Sequence, residues 1–79
     1  MYMEGRGGLP QDDRQAVELF RRSADQGYAG GQVSLGYMYK YGRGGLPQDD
    51  RQAVEWYRKS AEQGFASGQR NLGFMYENG

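Results

Sequence analysis

The chain repeats itself with a period of 37 residues. Residues 5–18 and residues 42–55 are identical position for position, and 29 of the 42 residue pairs that overlap at this offset are the same. One structural unit therefore occurs twice, because two independent globular domains do not fit into segments this short. A period in this range is typical of solenoids built from helix pairs, in which each unit packs on its neighbours.

Each unit carries the signals of two helices. In the first unit we expect a helix that begins at Asp12, whose carboxylate forms a capping box with Gln15, and that ends at Gly27. A second helix is expected over residues 29–41, with Gly42 as its stop. The same signals recur in the second unit at Asp49, Gln52, Gly64 and from Ala66 onward.

Helical periodicity divides each helix into an inward face and a charged face. The residues predicted to face inward are Ala16, Leu19, Phe20, Ser23, Ala24, Gly31, Gln32, Leu35, Met38 and Tyr39 in the first unit. In the second unit they are Ala53, Trp56, Tyr57, Ala61, Ala66, Gly68, Gln69, Leu72, Met75 and Tyr76.

These signals predict an all-α fold, an α/α solenoid fragment of antiparallel helix pairs in a right-handed superhelix. Residues 1–79 are expected to form a single repeat domain, with residues 5–41 as the first repeat and residues 42–79 as the second. Residues 1–4 align with the end of the second helix and are expected to be the end of a truncated preceding helix.

Glycine inside the second helix of each unit needs a physical reason, since each one costs roughly 1 kcal/mol of helix propensity relative to alanine. Such glycines occur at Gly31, Gly36, Gly68 and Gly73. We expect the missing Cβ atoms to let the paired helix of the same unit cross at short distance.

Composition excludes several classes of function. Ten Lys and Arg residues balance ten Asp and Glu residues, so the chain lacks the basic excess that nucleic acids or anionic membranes attract. The absence of Cys and His removes disulfides, thiol chemistry, common zinc sites and imidazole catalysis. Apolar runs are too short to cross a bilayer. We therefore predict no catalytic residues, no cofactor, no metal, no nucleic acid and no membrane insertion.

Two motifs admit a chemical interpretation that we do not favour. The acidic pairs Asp12-Asp13 and Asp49-Asp50 have the residue types of acid/base or metal sites, yet their recurrence at a helix start favours capping. The loops over residues 5–8 and 42–45 are glycine-rich like a phosphate cradle, but no Gly-Lys-Ser/Thr follows them, and carboxylates open the next helix. Simple turns are the favoured interpretation.

About a dozen positions that recur in register resemble the Sel-one-like repeat, a subgroup of the tetratricopeptide-like helical solenoids. They are Leu35-Gly36, Met38-Tyr39, Gly42, Gly44, Asp49, Ala53, Trp56-Tyr57, Lys59, Ala61, Gly64, Ala66, Gln69 and Leu72-Gly73. Ser23 and Ser60 stand where that pattern usually has alanine. The resemblance covers essentially the whole chain and implies an adaptor or scaffold protein without common chemistry of its own.

A lattice of opposite charges with i,i+4 spacing covers the first helix of each unit. Its members are Arg14, Glu18, Arg21, Arg22 and Asp25 in the first unit, and Arg51, Glu55, Arg58, Lys59 and Glu62 in the second. One interpretation is a solvated face. The other follows from solenoid geometry, in which first helices line the concave surface, so that the lattice meets an extended peptide or partner helix.

Tyr37 and Phe74 are aromatic residues on a helix face that their own unit does not bury. Either the neighbouring unit or a binding partner covers them.

Two functions are compatible with these features. The first is a non-catalytic scaffold that binds a protein or peptide on the concave face. The second is a structural spacer, or an engineered repeat fragment with no ligand of its own, favoured by the near identity of the units.

Exposed ends are also expected to stack head to tail between molecules or to exchange helices, since solenoids usually need three or more units. The apolar ends are Leu72, Phe74 and Met75 at one side and Val17 and Phe20 at the other.

Overall fold

The structure is a computed structural model that describes residues 13–78. Within this range the chain forms four helices and no strand. They are α1 (Asp13–Asp25), α2 (Ala29–Tyr41), α3 (Asp50–Glu62) and α4 (Ala66–Asn78). The predicted all-α fold of helix pairs is confirmed. The predicted cap Asp12 and the segment 1–4 lie outside the described residues.

Left-handed glycines follow three of the helices, as predicted. Gly27 has a φ of 91°, Gly42 a φ of 61° and Gly64 a φ of 80°. The amide of Gly27 donates to the carbonyl oxygen of Ala24 at 2.9 Å, and the next amide reaches one residue further back, at 3.1 Å. The same pair of bonds follows α2 and α3. These bonds satisfy carbonyl groups at the helix end and reverse the chain direction.

Asp49 caps α3, as predicted, but only half of the capping box forms. The amide of Gln52 donates to Oδ1 of Asp49 at 3.1 Å. The Gln52 side chain does not return the bond, because the amide of Asp49 donates instead to the carbonyl oxygen of Tyr39 at 2.8 Å. This contact ties the beginning of α3 to the last turn of α2.

The helices pack in chain order, α1 on α2, α2 on α3 and α3 on α4. Two clusters of buried apolar residues result. The first consists of Val17, Ala24, Leu35 and Met38, and the second of Ala53, Tyr57 and Met75. Tyr39 packs against both clusters, and Trp56 of the second unit packs against the first. The core is therefore continuous across the boundary between the units.

The predicted inward face is wrong at four positions, which the structure leaves exposed. They are Leu19, Ala66, Gln69 and Tyr76. Leu19 is 62% exposed and Tyr76 is 64% exposed, whereas their counterparts Trp56 and Tyr39 are partly buried against core residues. The difference arises because the neighbouring unit covers these counterparts. No helix of the described range occupies the equivalent place beside α4 or on the outer side of α1.

The glycines of α2 and α4 allow close approach, but not always to the helix that the sequence predicts. A Cβ at Gly31 would overlap the Ser23 side chain, and one at Gly68 would overlap Ser60, so both contacts lie within one unit, as expected. A Cβ at Gly36 would instead lie 2.8 Å from the ring of Tyr57, which belongs to the next unit.

Gly73 shows the opposite situation. Apart from the local backbone of α4 and the two chain neighbours, no described atom lies within 4 Å of the place where its Cβ would stand, so the predicted close approach is wrong there. Gly36 and Gly73 occupy equivalent positions, and only Gly36 has a helix packed on it.

Gly36→Ala is expected to lower the free energy of unfolding by about 1–3 kcal/mol, because the new methyl group overpacks the Tyr57 ring. The matched variant Gly73→Ala is expected to raise it by up to about 1 kcal/mol through helix propensity. Urea unfolding of dilute protein, followed by circular dichroism, measures both. Equal effects at the two sites would contradict the asymmetric packing.

The Ser60 hydroxyl is fully buried and makes no hydrogen bond within residues 13–78. A buried polar group without a partner destabilises the folded state by about 1–3 kcal/mol. Ser60→Ala is therefore expected to raise the free energy of unfolding by about 1 kcal/mol. The control is Ser23→Ala, since Ser23 is the equivalent and less buried residue, and a smaller gain is expected there. A lower midpoint of urea unfolding for Ser60→Ala would contradict the assignment.

Candidate protein-binding face

The charged residues predicted on the first helices lie on α1 and α3. Both helices pack on α2, and within the described range they do not pack on one another. The α2 residue Tyr39, which contacts both core clusters, therefore lies between the two charged helices. We call the charged surface of α1 and α3, with the tyrosine hydroxyls that it contacts, the arginine–tyrosine face.

Two arginine–tyrosine hydrogen bonds recur on this face, one in each unit. Nη2 of Arg21 donates to the hydroxyl of Tyr39 at 3.2 Å, and Nη2 of Arg58 donates to the hydroxyl of Tyr76 at 2.8 Å. In each pair the first helix supplies the guanidinium and the second helix supplies the acceptor. A guanidinium has five N–H donors, so this bond orients the group and leaves other donors for a ligand.

The hydrogen bond to Tyr76 also raises the pKa of Arg58 above its ordinary value. The guanidinium is charged at any physiological pH with or without this shift. The bond therefore matters for the orientation of the group and not for its charge.

The charge pairing on α3 differs from the predicted i,i+4 lattice. Nη1 of Arg58 lies 4.0 Å from Oε2 of Glu55, which is an i,i+3 contact. Nζ of Lys59 lies 5.8 Å from the centroid of the Trp56 ring. The other predicted members are exposed: Arg14, Glu18, Arg22, Asp25, Arg51 and Glu62. Surface charge contacts of this kind contribute little to stability.

The three described residues of the acidic pairs, Asp13, Asp49 and Asp50, have structural partners. Asp13 accepts from Nε of Arg43 at 3.1 Å and from Nη2 at 3.4 Å, and this contact raises the pKa of Arg43. Asp50 accepts from Nε2 of Gln48 at 2.7 Å. With Asp49 as a helix cap, these contacts support the structural interpretation of both acidic residues of the second pair.

Arg43, which connects the loop after α2 to the start of α1, is not among the residues predicted from the sequence. The loop is held close to α1, since a Cβ at Gly44 would lie 2.6 Å from the carbonyl oxygen of Asp13. Gly44 and Gly45 have φ values of 67° and 85°, which favour glycine. The only sequence signal for this role is the identity of the loop in the two units.

Tyr37 and Phe74 lie in a second surface, formed by α2 and α4, which we call the aromatic patch: Tyr37, Lys40, Tyr41 and Phe74. The rings of Tyr37 and Tyr41 are 4.7 Å apart. Nζ of Lys40 lies 5.3 Å from the ring centroids of both Tyr41 and Phe74. The neighbouring unit thus covers part of Phe74 with a lysine, and 48% of the residue stays exposed. Tyr37 is also 45% exposed, so neither aromatic is fully covered. Coverage of the remaining surface by a binding partner stays a prediction.

Tyr57 is buried close to this patch. Burial, with smaller contributions from Tyr41 and Tyr37, raises the pKa of Tyr57 to about 12. Because the ring is only 1% exposed, ionisation would place a charge in the interface between the units.

Alkaline pH is therefore expected to destabilise the fold through Tyr57. Unfolding returns the group to its ordinary pKa of 10.0, so above that pH the unfolded chain releases a proton that the folded chain keeps. The stability is complete below pH 10 and falls by about 2–3 kcal/mol as the pH rises through 12.

Urea unfolding between neutral pH and about pH 12 measures this loss. Tyr57→Phe is expected to show a shallower alkaline decline than the wild type, whereas the control Tyr28→Phe, at a residue 62% exposed, is expected to keep it. An identical decline in Tyr57→Phe and wild type would contradict the assignment.

None of the helices in the described range is both long and apolar enough to cross a membrane. A family model described as Sel1 repeat matches residues 1–28, 29–65 and 66–79, which together cover the chain. The middle segment contains α2, α3 and their connection. No curated protein and no solved structure matches the chain significantly.

Proposed function

Since the chain belongs to the Sel1 repeat family, whose repeats generally mediate protein–protein interaction, we propose that it is a non-catalytic scaffold that binds an acidic, extended peptide segment. The proposed site is the arginine–tyrosine face of α1 and α3. In a solenoid of helix pairs the first helices line the concave surface, which suits an extended ligand.

The recurrence of the arginine–tyrosine bond carries this proposal. Arg21 and Arg58 stand at equivalent positions, and each is held by a tyrosine of its own unit. A guanidinium that is already oriented loses less side-chain entropy when it binds a carboxylate. Two such groups, one per unit, match a ligand that presents acidic side chains along its length.

Tyr39 links the arginine–tyrosine face to the core. Its ring packs between the units, and its hydroxyl accepts from Arg21. The same side chain thus contributes to the core and orients a ligand-binding group. The position of Arg21 relative to the second unit therefore depends on correct stacking of the units.

A fluorescence-anisotropy titration with a panel of acidic peptides of varied carboxylate spacing tests the proposal. For a peptide that binds, Arg21→Ala and Arg58→Ala are each expected to weaken affinity about 10- to 100-fold, since a hydrogen bond to a charged group is worth about 1.5–3 kcal/mol. Tyr76→Phe is expected to have a smaller effect, because it frees the Arg58 guanidinium without removing it. The matched control is Arg70→Ala, since Arg70 is an exposed arginine of α4 outside both pairs.

Unchanged affinity in the variant with both arginines replaced would contradict the proposed site. The alternative function, a spacer without a ligand, is supported by the near identity of the units, because a surface adapted to one partner tends to diverge between repeats. It predicts no saturable binding by any peptide of the panel.

A further inference from the structure

The exposed side of α4 repeats the surface with which α2 binds α3. We propose that a second copy of this chain docks there head to tail, with its α1 taking the place on α4 that α3 takes on α2. The occupant is inferred from an interface that the chain already contains, because both sides of that interface recur in the sequence.

The surface that receives α3 has a gap in α2 at Gly36, where there is no side chain. It also has two hydrogen-bond acceptors, one on Gln32 and one on Gly27. The ring of Tyr57 fills the gap at Gly36. Nε2 of Gln63 donates to Oε1 of Gln32 at 3.0 Å and to the carbonyl oxygen of Gly27 at 2.9 Å. These bonds attach the end of α3 to the first unit.

The same receiving groups are present on the second unit, where no helix of the described range covers them. Gly73, Gln69 and Gly64 stand at the positions of Gly36, Gln32 and Gly27. Apart from the local backbone of α4 and the two chain neighbours, no described atom lies within 4 Å of the Cβ position of Gly73, and Gln69 is exposed although Gln32 is buried. The gap and both acceptors are therefore accessible to another molecule.

The inserting surface of α3 likewise recurs on α1. Ala16, Phe20 and Gln26 stand at the positions of Ala53, Tyr57 and Gln63. Leu19 stands at the position of Trp56, which packs against the preceding unit. Leu19 is 62% exposed and Gln26 is exposed, so α1 presents an apolar side chain and an amide donor where α3 uses both.

Two sequence differences across the interface are compatible with each other. Within the chain, the ring of Tyr57 lies against Gly36, next to Tyr37 in the sequence, and both tyrosines carry a hydroxyl. Between copies the equivalent residues are Phe20 and Phe74, which both lack the hydroxyl. The two tyrosines of the contact within the chain are therefore both replaced by phenylalanine in the contact between copies, so neither side leaves a hydroxyl without its counterpart.

Arg70 is a third difference, since it replaces Val33, which packs against the second core cluster. The aliphatic stem of an arginine can cover the same apolar surface while its guanidinium stays in water. The substitution is thus tolerated in the proposed contact.

The contact joins two different surfaces, so it is heterologous. After one such contact, α1 of one copy and α4 of the other are still available. Association is therefore expected to continue beyond two chains as concentration rises.

Light scattering over a dilution series tests the proposal, with circular dichroism on the same samples. The wild type is expected to have the mass of one chain when dilute and a rising mass up to the millimolar range. Gly73→Arg is expected to stay at one chain, because its side chain occupies the place of the incoming Phe20. The matched control Gly30→Arg changes an equally open helical glycine of α2 and is expected to associate like the wild type.

Leu19→Glu blocks the other surface and is also expected to stay at one chain. Both variants alter exposed positions, so unchanged helicity in dilute solution is expected. An equimolar mixture of Gly73→Arg and Leu19→Glu retains one intact surface of each kind, so it is expected to reach the mass of two chains and no more.

Three results would overturn the proposal. The first is a wild-type mass of one chain at every concentration. The second is association of Gly73→Arg at wild-type strength. The third is self-association of Leu19→Glu, which would indicate a symmetric contact between α4 surfaces.

Discussion

The ring of Tyr57 packs against the backbone of α2 at Gly36, and the relation between the two units depends on this contact. Without a Cβ at Gly36, α3 approaches α2 closely enough for Trp56 to reach the first core cluster and for Tyr39 to contact both. Two polar contacts secure the same interface at its ends, the bond from the Asp49 amide to Tyr39 and the bonds from Gln63 to the first unit. The two helix pairs share one core through this contact, because each pair buries one face and needs a neighbour for the other.

The arginine–tyrosine face adjoins that interface. Tyr39 contributes its ring to the packing between units and its hydroxyl to Arg21, so one guanidinium of this face is bonded to a side chain that also packs in the core. Arg58 is held by Tyr76, whose ring no described unit covers, although the hydrogen bond is the shorter of the two. The hydrogen bond between arginine and tyrosine therefore forms within one unit. Burial of the tyrosine ring requires a neighbouring unit.

Much of the fold could be predicted from the sequence, and four of the errors share one cause. The helix ends, the Asp49 cap and the inward residues Leu35, Met38 and Ala53 agree with the prediction. Leu19, Gln69, Tyr76 and Gly73 do not, since each has a counterpart that the other unit covers and is itself uncovered. The charged residues predicted on the first helices lie on α1 and α3, and their role as a binding site stays a prediction. The tyrosine acceptors and the contact of Arg43 with Asp13 join residues 18 or 30 positions apart, and local periodicity does not report such distances.

The repeat, the four helices and the turns between them follow from the amino-acid sequence alone. These features depend on hydrogen bonds over a few residues: a side chain caps the next turn, and a left-handed glycine ends a helix where other residues would be strained. Which of two identical residues is buried and which is exposed is settled only when the helices pack. Gly36 and Gly73, or Gln32 and Gln69, have the same local sequence signals but different surroundings, because burial is set by the helix that packs from outside the unit.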